Sequence, residues 1–255
     1  MADYIWGRYP VLEALRSKQR RVQRLIIAQG PHDATLTQVL DAARTLGVTV
    51  ERAPRRTLDE LSRSGNHQGV IAVAAPRTYA GVDDILARSE ALGEPPLVLV
   101  LDAIQDVQNL GSLIRTAEAV GVHGIIIPEH RAAGLTPAVD KTSAGAVEFL
   151  PVAQVTNITR TIDDLKQRGL WAIGLAGEGT TRYDQANLTG PIALVVGNEA
   201  KGISRLVREH CDLLVSIPMR GQIGSLNAAI AGSLALYEIW RQRGFAPAPR
   251  SGDTE

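Results

Sequence analysis

One pattern constrains this chain more than any other: short apolar runs that alternate with stretches of helical period. "LVLVLD" (97–102) is apolar at almost every position, as expected of a strand buried on both faces. "GIIIPE" (124–129), "LWAIGLA" (170–176), "PIALVVGNE" (191–199) and "LLVSIPM" (213–219) read as further strands. Between and after them lie helical stretches at 109–121, 136–147, 155–169, 203–211 and 225–243. In the first of these Asn109 stands near the cap and Gly121 at the end. Strands that alternate with helices imply a parallel sheet covered on both sides.

The first third repeats the alternation on a smaller scale. A helix begins at Pro10, and "VQRLIIA" (22–28), "VTVERA" (48–53) and "GVIAVAA" (69–75) read as strands. "ATLTQVLDAARTLG" (34–47) and "RTLDELSRSG" (56–65) read as helices; the first spaces Leu36, Val39, Leu40, Ala43 and Leu46 by three or four. The expected organisation is a small α/β domain at 1–76, a linker with one short helix at 77–96, a larger α/β domain at 97–243 and a disordered tail at 244–255. No apolar run approaches the roughly 20 residues that span a bilayer, and the single cysteine, Cys211, suits a reducing cytoplasm.

Charge is balanced overall but uneven along the chain. Up to Pro76 there are 11 Lys/Arg against 7 Asp/Glu, and "RSKQRRVQR" (16–24) holds five basic residues. Arg16, Lys18, Arg20 and Arg21 form either a solvated face or a phosphate-contacting patch, and charge alone leaves both readings open.

Several chemistries lose their support in the sequence. The turn after the first buried strand, "LDAIQDVQNLGSLIR", lacks the three-glycine dinucleotide fingerprint, and neither a P-loop nor a G-x-S-x-G elbow occurs. The five histidines are scattered, without C-x-x-C or H-x-x-x-H spacing, so no metal is expected. His210 and Cys211 are consecutive, and consecutive helical side chains do not face one another as a nucleophile and base must.

Three polar clusters remain, each at the end of an expected strand, where open α/β sheets bind ligands. They are "NLGSLIR" (109–115), "VVGNEAKG" (195–202) and "IPMRGQIGSLN" (217–227). Singly, each has a plain reading as a cap or turn. In this order and company they resemble the SpoU (TrmH) family of SPOUT methyltransferases over about 97–243. "GVHGIIIPEHRA" and "REHCDLLVSIPM" are similar to the bacterial 23S rRNA guanosine 2′-O-methyltransferase branch. "GRYPVLEALRS" and "NHQGVIAV" resemble the opening and closing phrases of the small substrate-binding domain that many members carry, a ribosomal-protein L30e-like α/β unit.

The resemblance implies a SPOUT parallel sheet with a deep trefoil knot, a homodimer joined through the knot helices, and S-adenosylmethionine as methyl donor. It implies cofactor contacts at Gly197, Ile217 and Leu226, with Met219 close by, and a catalytic role for Arg115. Asn109, Glu199, Ser225 and Asn227 are expected to position Arg115 and the ribose. The family proposal makes the arginine the proton acceptor; a donor-only guanidinium suits instead the stabilisation of a developing alkoxide. Ala200 stands where many relatives have Gly, which would strain the loop if that position needs positive φ.

The expected activity is methylation of a ribose 2′-hydroxyl in RNA, of a guanosine in 23S rRNA, by a cytoplasmic enzyme without a membrane segment. The alternatives are tRNA ribose methylation and, from another class, a non-catalytic RNA-binding protein of the same fold.

Overall fold

The computed structural model describes residues 3–17, 19–30, 33–63 and 65–246. Lys18 and the tail residues 247–255 therefore lie outside the described residues. The chain begins β1 (Asp3–Trp6), α1 (Arg8–Ser17), β2 (Val22–Ala28), α2 (Ala34–Thr45), β3 (Thr49–Ala53), α3 (Arg55–Leu61), β4 (Val70–Ala74) and α4 (Val82–Leu92). It continues β5 (Leu97–Asp102), α5 (Val107–Ala119), β6 (Gly124–Pro128), α6 (Pro137–Thr142), a 3-10 turn (Ala146–Glu148), β7 (Val152–Val155) and α7 (Ile158–Gln167). Last come β8 (Trp171–Leu175), β9 (Thr181–Arg182), β10 (Ile192–Gly197), α8 (Arg205–His210), β11 (Leu213–Ser216) and α9 (Ala228–Gln242). The fold divides into two compact units, Met1–Thr78 with Gly134–Phe149, and Tyr79–Ala133 with Leu150–Glu255.

The first unit holds a four-stranded sheet in the order β1-β4-β2-β3. β2 and β3 run parallel, and β4 is antiparallel to both β1 and β2. α1 and α2 contribute Val11, Leu12, Leu15, Leu36 and Val39 to a core shared with Leu25, Ile27 and Val70. β1 has no counterpart in the sequence reading. Its four residues bury only Ile5, too little for a period to register.

The same unit buries an ionic cluster. Arg20 donates to Asp3 (2.8 Å), Glu148 (3.3 Å) and the Ala75 carbonyl (2.9 Å). Arg77 donates to Asp140 (2.8 Å), to the Val147 carbonyl (3.0 Å) and to Glu148. Three carboxyls meet two guanidiniums, so one carboxyl is in excess. Burial, reinforced by Glu148 and opposed by Arg77 and Arg20, pushes the Asp140 carboxyl up to about 6. A pKa raised on folding contributes stability that is complete below the unfolded value near 4 and is lost as pH rises through 6. Asp140→Asn is therefore expected to gain melting temperature relative to wild type as pH rises from 5 to 7.5. An equal pH dependence of melting in the two proteins would refute the assignment.

The second unit is built on a seven-stranded sheet in the order β7-β6-β5-β10-β8-β11-β9, with every pair parallel. β5 and β10 at its centre are buried along their whole length, as their unbroken apolar sequence requires. β7 and β9 extend the sheet beyond the expected strands; each is a short edge element without a periodic signal of its own. The stretch 77–96, expected as a linker, carries α4, which buries Ile85 and Leu86 in the core of this unit. Of the expected tail, Gly244–Ala246 lie against α9, where Phe245 packs edge-on to Trp240 and the Trp240 indole donates to the Ala246 carbonyl (3.0 Å). No helix among the described residues is long and apolar enough to cross a membrane.

Candidate active site

The carboxyl ends of three adjacent strands, β10, β8 and β11, open on one cavity of about 220 Å³. Leu175 ends β8 and Gly177 follows it into the wall, Gly197 ends β10 and the turn after it adds Asn198, Glu199, Ala200 and Gly202, and Ile217 and Met219 follow β11. Gly224, Ser225 and Leu226 close it from the segment that leads into α9. All four residues expected to hold the cofactor, Gly197, Ile217, Met219 and Leu226, line this one cavity, together with Glu199 and Ser225. The lining is mostly apolar side chain and backbone, with the Glu199 carboxylate at one side.

The segment before α9 explains its unusual composition. α9 begins at Ala228, later than the sequence suggests, and Ser225 is not its cap. Asn227 is: its Oδ1 accepts from the backbone N–H of Ala229 (2.9 Å) and Ile230 (3.2 Å). With the oxygen committed to the helix, the amide nitrogen must point away, and it donates to Asn109 Oδ1 (2.8 Å). That fixes Asn109 in turn, whose Nδ2 donates to Glu199 Oε1 (2.7 Å). Asn198 Nδ2 donates to Glu199 Oε2 (3.1 Å) and to the Ala103 carbonyl (2.9 Å), while its Oδ1 accepts from Ala200 N (2.9 Å). One polar chain thus links the three sequence motifs, and every amide orientation follows from the helix start.

Asn109 is free for this role because it is not a cap. Asp106 caps α5, accepting from Gln108 N (2.9 Å), and Asn109 lies in the first turn, buried. Asn109 and Asn227 also border a second, shallower groove between α5 and α9, with Ile230, Leu234 and Tyr237 at its apolar side. The Thr116 and Ser233 hydroxyls bond at 2.9 Å and tie the two helices together.

Gly197 is required by the fold. It stands opposite Asp102 in the β10–β5 register, and a Cβ there would lie 2.1 Å from the backbone of Gly202 and Ile203. The turn that crowds it is closed by two backbone bonds, Asn198 N to Gly202 O (3.0 Å) and Gly202 N to Asn198 O (2.8 Å). The glycine therefore admits the protein's own chain at close approach. Ala200 is not among the residues with positive φ; Gly202 takes that conformation, so the alanine brings no strain.

Arg115 stands apart from this network. It is exposed on α5, lines neither cavity, and makes no hydrogen bond or ion pair with the described residues. Glu199 makes no ion pair with Arg115; its two oxygens accept from Asn109 and Asn198 instead. Of the basic run, Arg20 is buried in the ionic cluster and unavailable to a phosphate, which corrects the expectation placed on it. Arg16 pairs with Glu13 (3.0 Å), and Arg21 is exposed. Burial pushes the Cys211 thiol up to about 12, which removes it as a nucleophile.

Three residues of the site escaped the sequence reading. Asn198 seemed part of a plain turn. Ala103 takes φ of 61°, uncommon for a non-glycine residue, and its carbonyl accepts from Asn198. Asp102, buried, accepts from Ser204 N (2.7 Å) and anchors the far side of the turn. Only the end of a buried strand marked these positions.

Comparison with known proteins agrees with this geometry. The sequence model of the SpoU rRNA Methylase family matches residues 96–237, and that for RNA 2′-O ribose methyltransferase substrate binding matches residues 4–80. The chain is 44% identical over 243 residues to the putative TrmH family tRNA/rRNA methyltransferase YacO of Bacillus subtilis, covering 94% of this chain and 96% of that protein. It is 43% identical over 244 residues to the 23S rRNA (guanosine-2′-O-)-methyltransferase RlmB of Pseudomonas syringae pv. tomato, with 94% and 96% covered. The structure of the SpoU methyltransferase AviRb from Streptomyces viridochromogenes in complex with AdoMet is similar at a TM-score of 0.79 and 28% identity, covering 95% of this chain and 91% of that one. With the three motifs joined at one strand-end cavity and these likenesses spanning nearly its whole length, the chain belongs to the SpoU rRNA methylase family of RNA methyltransferases.

Proposed function

We propose that the protein methylates the ribose 2′-hydroxyl of a guanosine in 23S rRNA, with S-adenosylmethionine as donor. The observation that carries the reading is the Asn227–Asn109–Glu199 chain, which couples the cavity beyond β10 to the groove between α5 and α9. The likeness to a 23S rRNA guanosine methyltransferase supports the choice of target.

The cavity suits the cofactor: Ile217, Met219 and Leu226 offer apolar surface to an adenine, and backbone at Gly197 and Gly224 offers polar atoms without bulk. When bound, S-adenosylmethionine supplies an activated methyl group, so the chain's own work is binding and orientation. Glu199 and Ser225, at the cavity wall, and Asn109 and Asn227, beside the groove, position the ribose. Arg115 stabilises the charge that develops on the 2′-oxygen; as a cation with donors only it does not accept the proton.

The exposed apolar residues of α9, Ile230, Leu234 and Tyr237, support a homodimer through this helix. An arginine that its own chain leaves unpaired and outside the cavity fits an active site completed by the second copy. The likeness to a SpoU methyltransferase structure over the segment that holds the order β5-β10-β8-β11 supports the trefoil knot there. The mixed four-stranded sheet supports an L30e-like substrate-binding unit over residues 1–76, and methylation of ribosomal RNA implies the cytoplasm.

The test is mass mapping of 2′-O-methyl groups after incubating the protein and S-adenosylmethionine with rRNA and tRNA from a strain that lacks the gene. A new methyl on a guanosine of 23S rRNA is expected. A product in tRNA alone would favour the second reading, which the likeness to a tRNA/rRNA methyltransferase keeps in view. No ribose methylation in either pool would leave an RNA-binding protein without catalysis.

A further inference from the structure

Charge density along the sequence points to the 16–24 run as the RNA contact of the first unit, but the side chains there are largely committed. Arg20 is buried, Arg16 holds Glu13, and Arg24 holds Glu51 (3.1 Å). A different surface of the same unit has unpaired donors. Where β2 ends, Gln29 and Gly30 leave the sheet; Arg8 opens α1 after β1, Arg55 opens α3 after β3, and Gln68 and Gly69 precede β4. These six line one polar cleft of about 360 Å³. The sheet pairing brings them together: Ile27 lies opposite Val70 and Trp6 opposite Ile71, so the ends of β1 and β2 and the start of β4 share one rim.

The backbone around this cleft is unusual. Gly30, Gln68 and Gly69 have φ of 135°, 52° and 85°. For Gln68 the left-handed conformation is strained, and strain of this kind gathers at binding sites. Arg8 holds the residue in place: its backbone N–H donates to Gln68 Oε1 (3.0 Å) and its Nε to the Gln68 carbonyl (3.1 Å). With that oxygen taken, the Gln68 amide nitrogen keeps both of its hydrogens for a ligand. Arg8 also pairs with Asp33, whose other oxygen caps α2 through Leu36 N (2.9 Å), so this carboxylate is neutralised. Neither Arg55 nor the Gln29 side chain has a partner among the described residues.

We propose that this cleft binds an unpaired nucleotide of the substrate RNA, with its phosphate on Arg55 and its base edge on the amides of Gln29 and Gln68. The assignment rests on the RNA methyltransferase reading above. A guanidinium grips phosphate through a planar fork. Carboxamides both donate and accept, as the edge of a single-stranded base requires. The arrangement binds RNA loops in preference to continuous duplex, whose base edges are already paired.

The test uses the full-length protein and in vitro transcribed 23S rRNA. Arg55 is exposed and unpaired, so Arg55→Glu leaves the fold intact. Affinity for the RNA is expected to fall at least about tenfold, with the slope of log affinity against log salt smaller by about one. Affinity for S-adenosylmethionine and kcat at saturating RNA are expected to stay unchanged, while KM for RNA rises. Gln29→Ala is expected to weaken binding without changing the salt slope. RNA affinity and salt slope equal to wild type in Arg55→Glu would overturn the proposal while leaving methylation intact; so would a loss found only on replacing Arg16 and Arg21. If wild type binds the RNA, Arg55→Glu weakens that binding, and no ribose methyl forms, the cleft stands and the catalytic reading falls. A wild type that neither binds nor methylates this RNA overturns both.

Discussion

Turnover of the Arg115→Ala variant is expected to fall by about a hundredfold to a thousandfold, the range seen when one donor aimed at developing negative charge is deleted. The structure separates this effect from folding and from cofactor binding. Arg115 is exposed and has no partner among the described residues, so its removal leaves no buried group unsatisfied. Surface changes of that kind alter stability by about 0.5 kcal/mol or less. It lines no part of the cavity beyond β10, so affinity for S-adenosylmethionine, measured by calorimetry, should match wild type. Arg115→Lys keeps the charge but loses the planar fork, so a partial recovery of turnover would point to charge stabilisation and no recovery to a two-point grip. Wild-type turnover in Arg115→Ala would remove the residue from the reaction.

The contrast between Arg115 and Asn109 shows what a linear pattern can carry. Spacing placed both on one helix at the end of a buried strand, and the structure agrees. It could not say which faced inward, because six residues of helix set the two about 120° apart and packing decides which side is covered. α5 buries Asn109 with Leu110, Leu113, Ile114 and Ala117 and leaves Arg115 outside. The large sheet was legible because β5, β6, β8 and β10 are continuous apolar runs, which few other structures can bury. β1, β7 and β9 were not, since strands of two to four residues acquire their conformation from the neighbours they pair with.

Charge was the least reliable guide. The 16–24 run looks like one patch, yet Arg20 turns inward to balance carboxylates supplied by Asp3 and by the distant Glu148. Sequence proximity says nothing about a partner 128 positions away. Conversely, Arg8, Arg55 and Gln68 are scattered along the chain and converge only because the ends of β1, β2 and β3 and the start of β4 share a rim. Asn198 and Ala103 were missed for a similar reason: their contribution is a hydrogen bond between two strand ends, separated by 95 positions.

Gly197→Ala is expected to lower both the melting temperature and cofactor affinity, and the coupling of the two is the informative part. The added Cβ would sit 2.1 Å from backbone atoms of Gly202 and Ile203, with no flexible side-chain end to move aside. The turn cannot easily yield. Ile203 is buried in the core, and Ser204 N is held by Asp102. Overpacking of a dense site costs about 1–3 kcal/mol and sometimes more. Relief must come from displacing 198–202, which carries Glu199 and one wall of the cavity, so S-adenosylmethionine affinity should drop by at least about tenfold for about 1.4 kcal/mol of distortion. Ala200→Gly, on the same turn but exposed and without positive φ, is the control, expected to bind the cofactor within about twofold of wild type. Had the glycine served only to let a ligand approach, Gly197→Ala would lose affinity yet melt like wild type. That result, measured by calorimetry and thermal unfolding together, would reverse the structural assignment. A parallel loss of both would establish that the G-x-E spacing at 197–199 is set first by the chain's need to pass close to itself, and that the cavity is what this close passage leaves open.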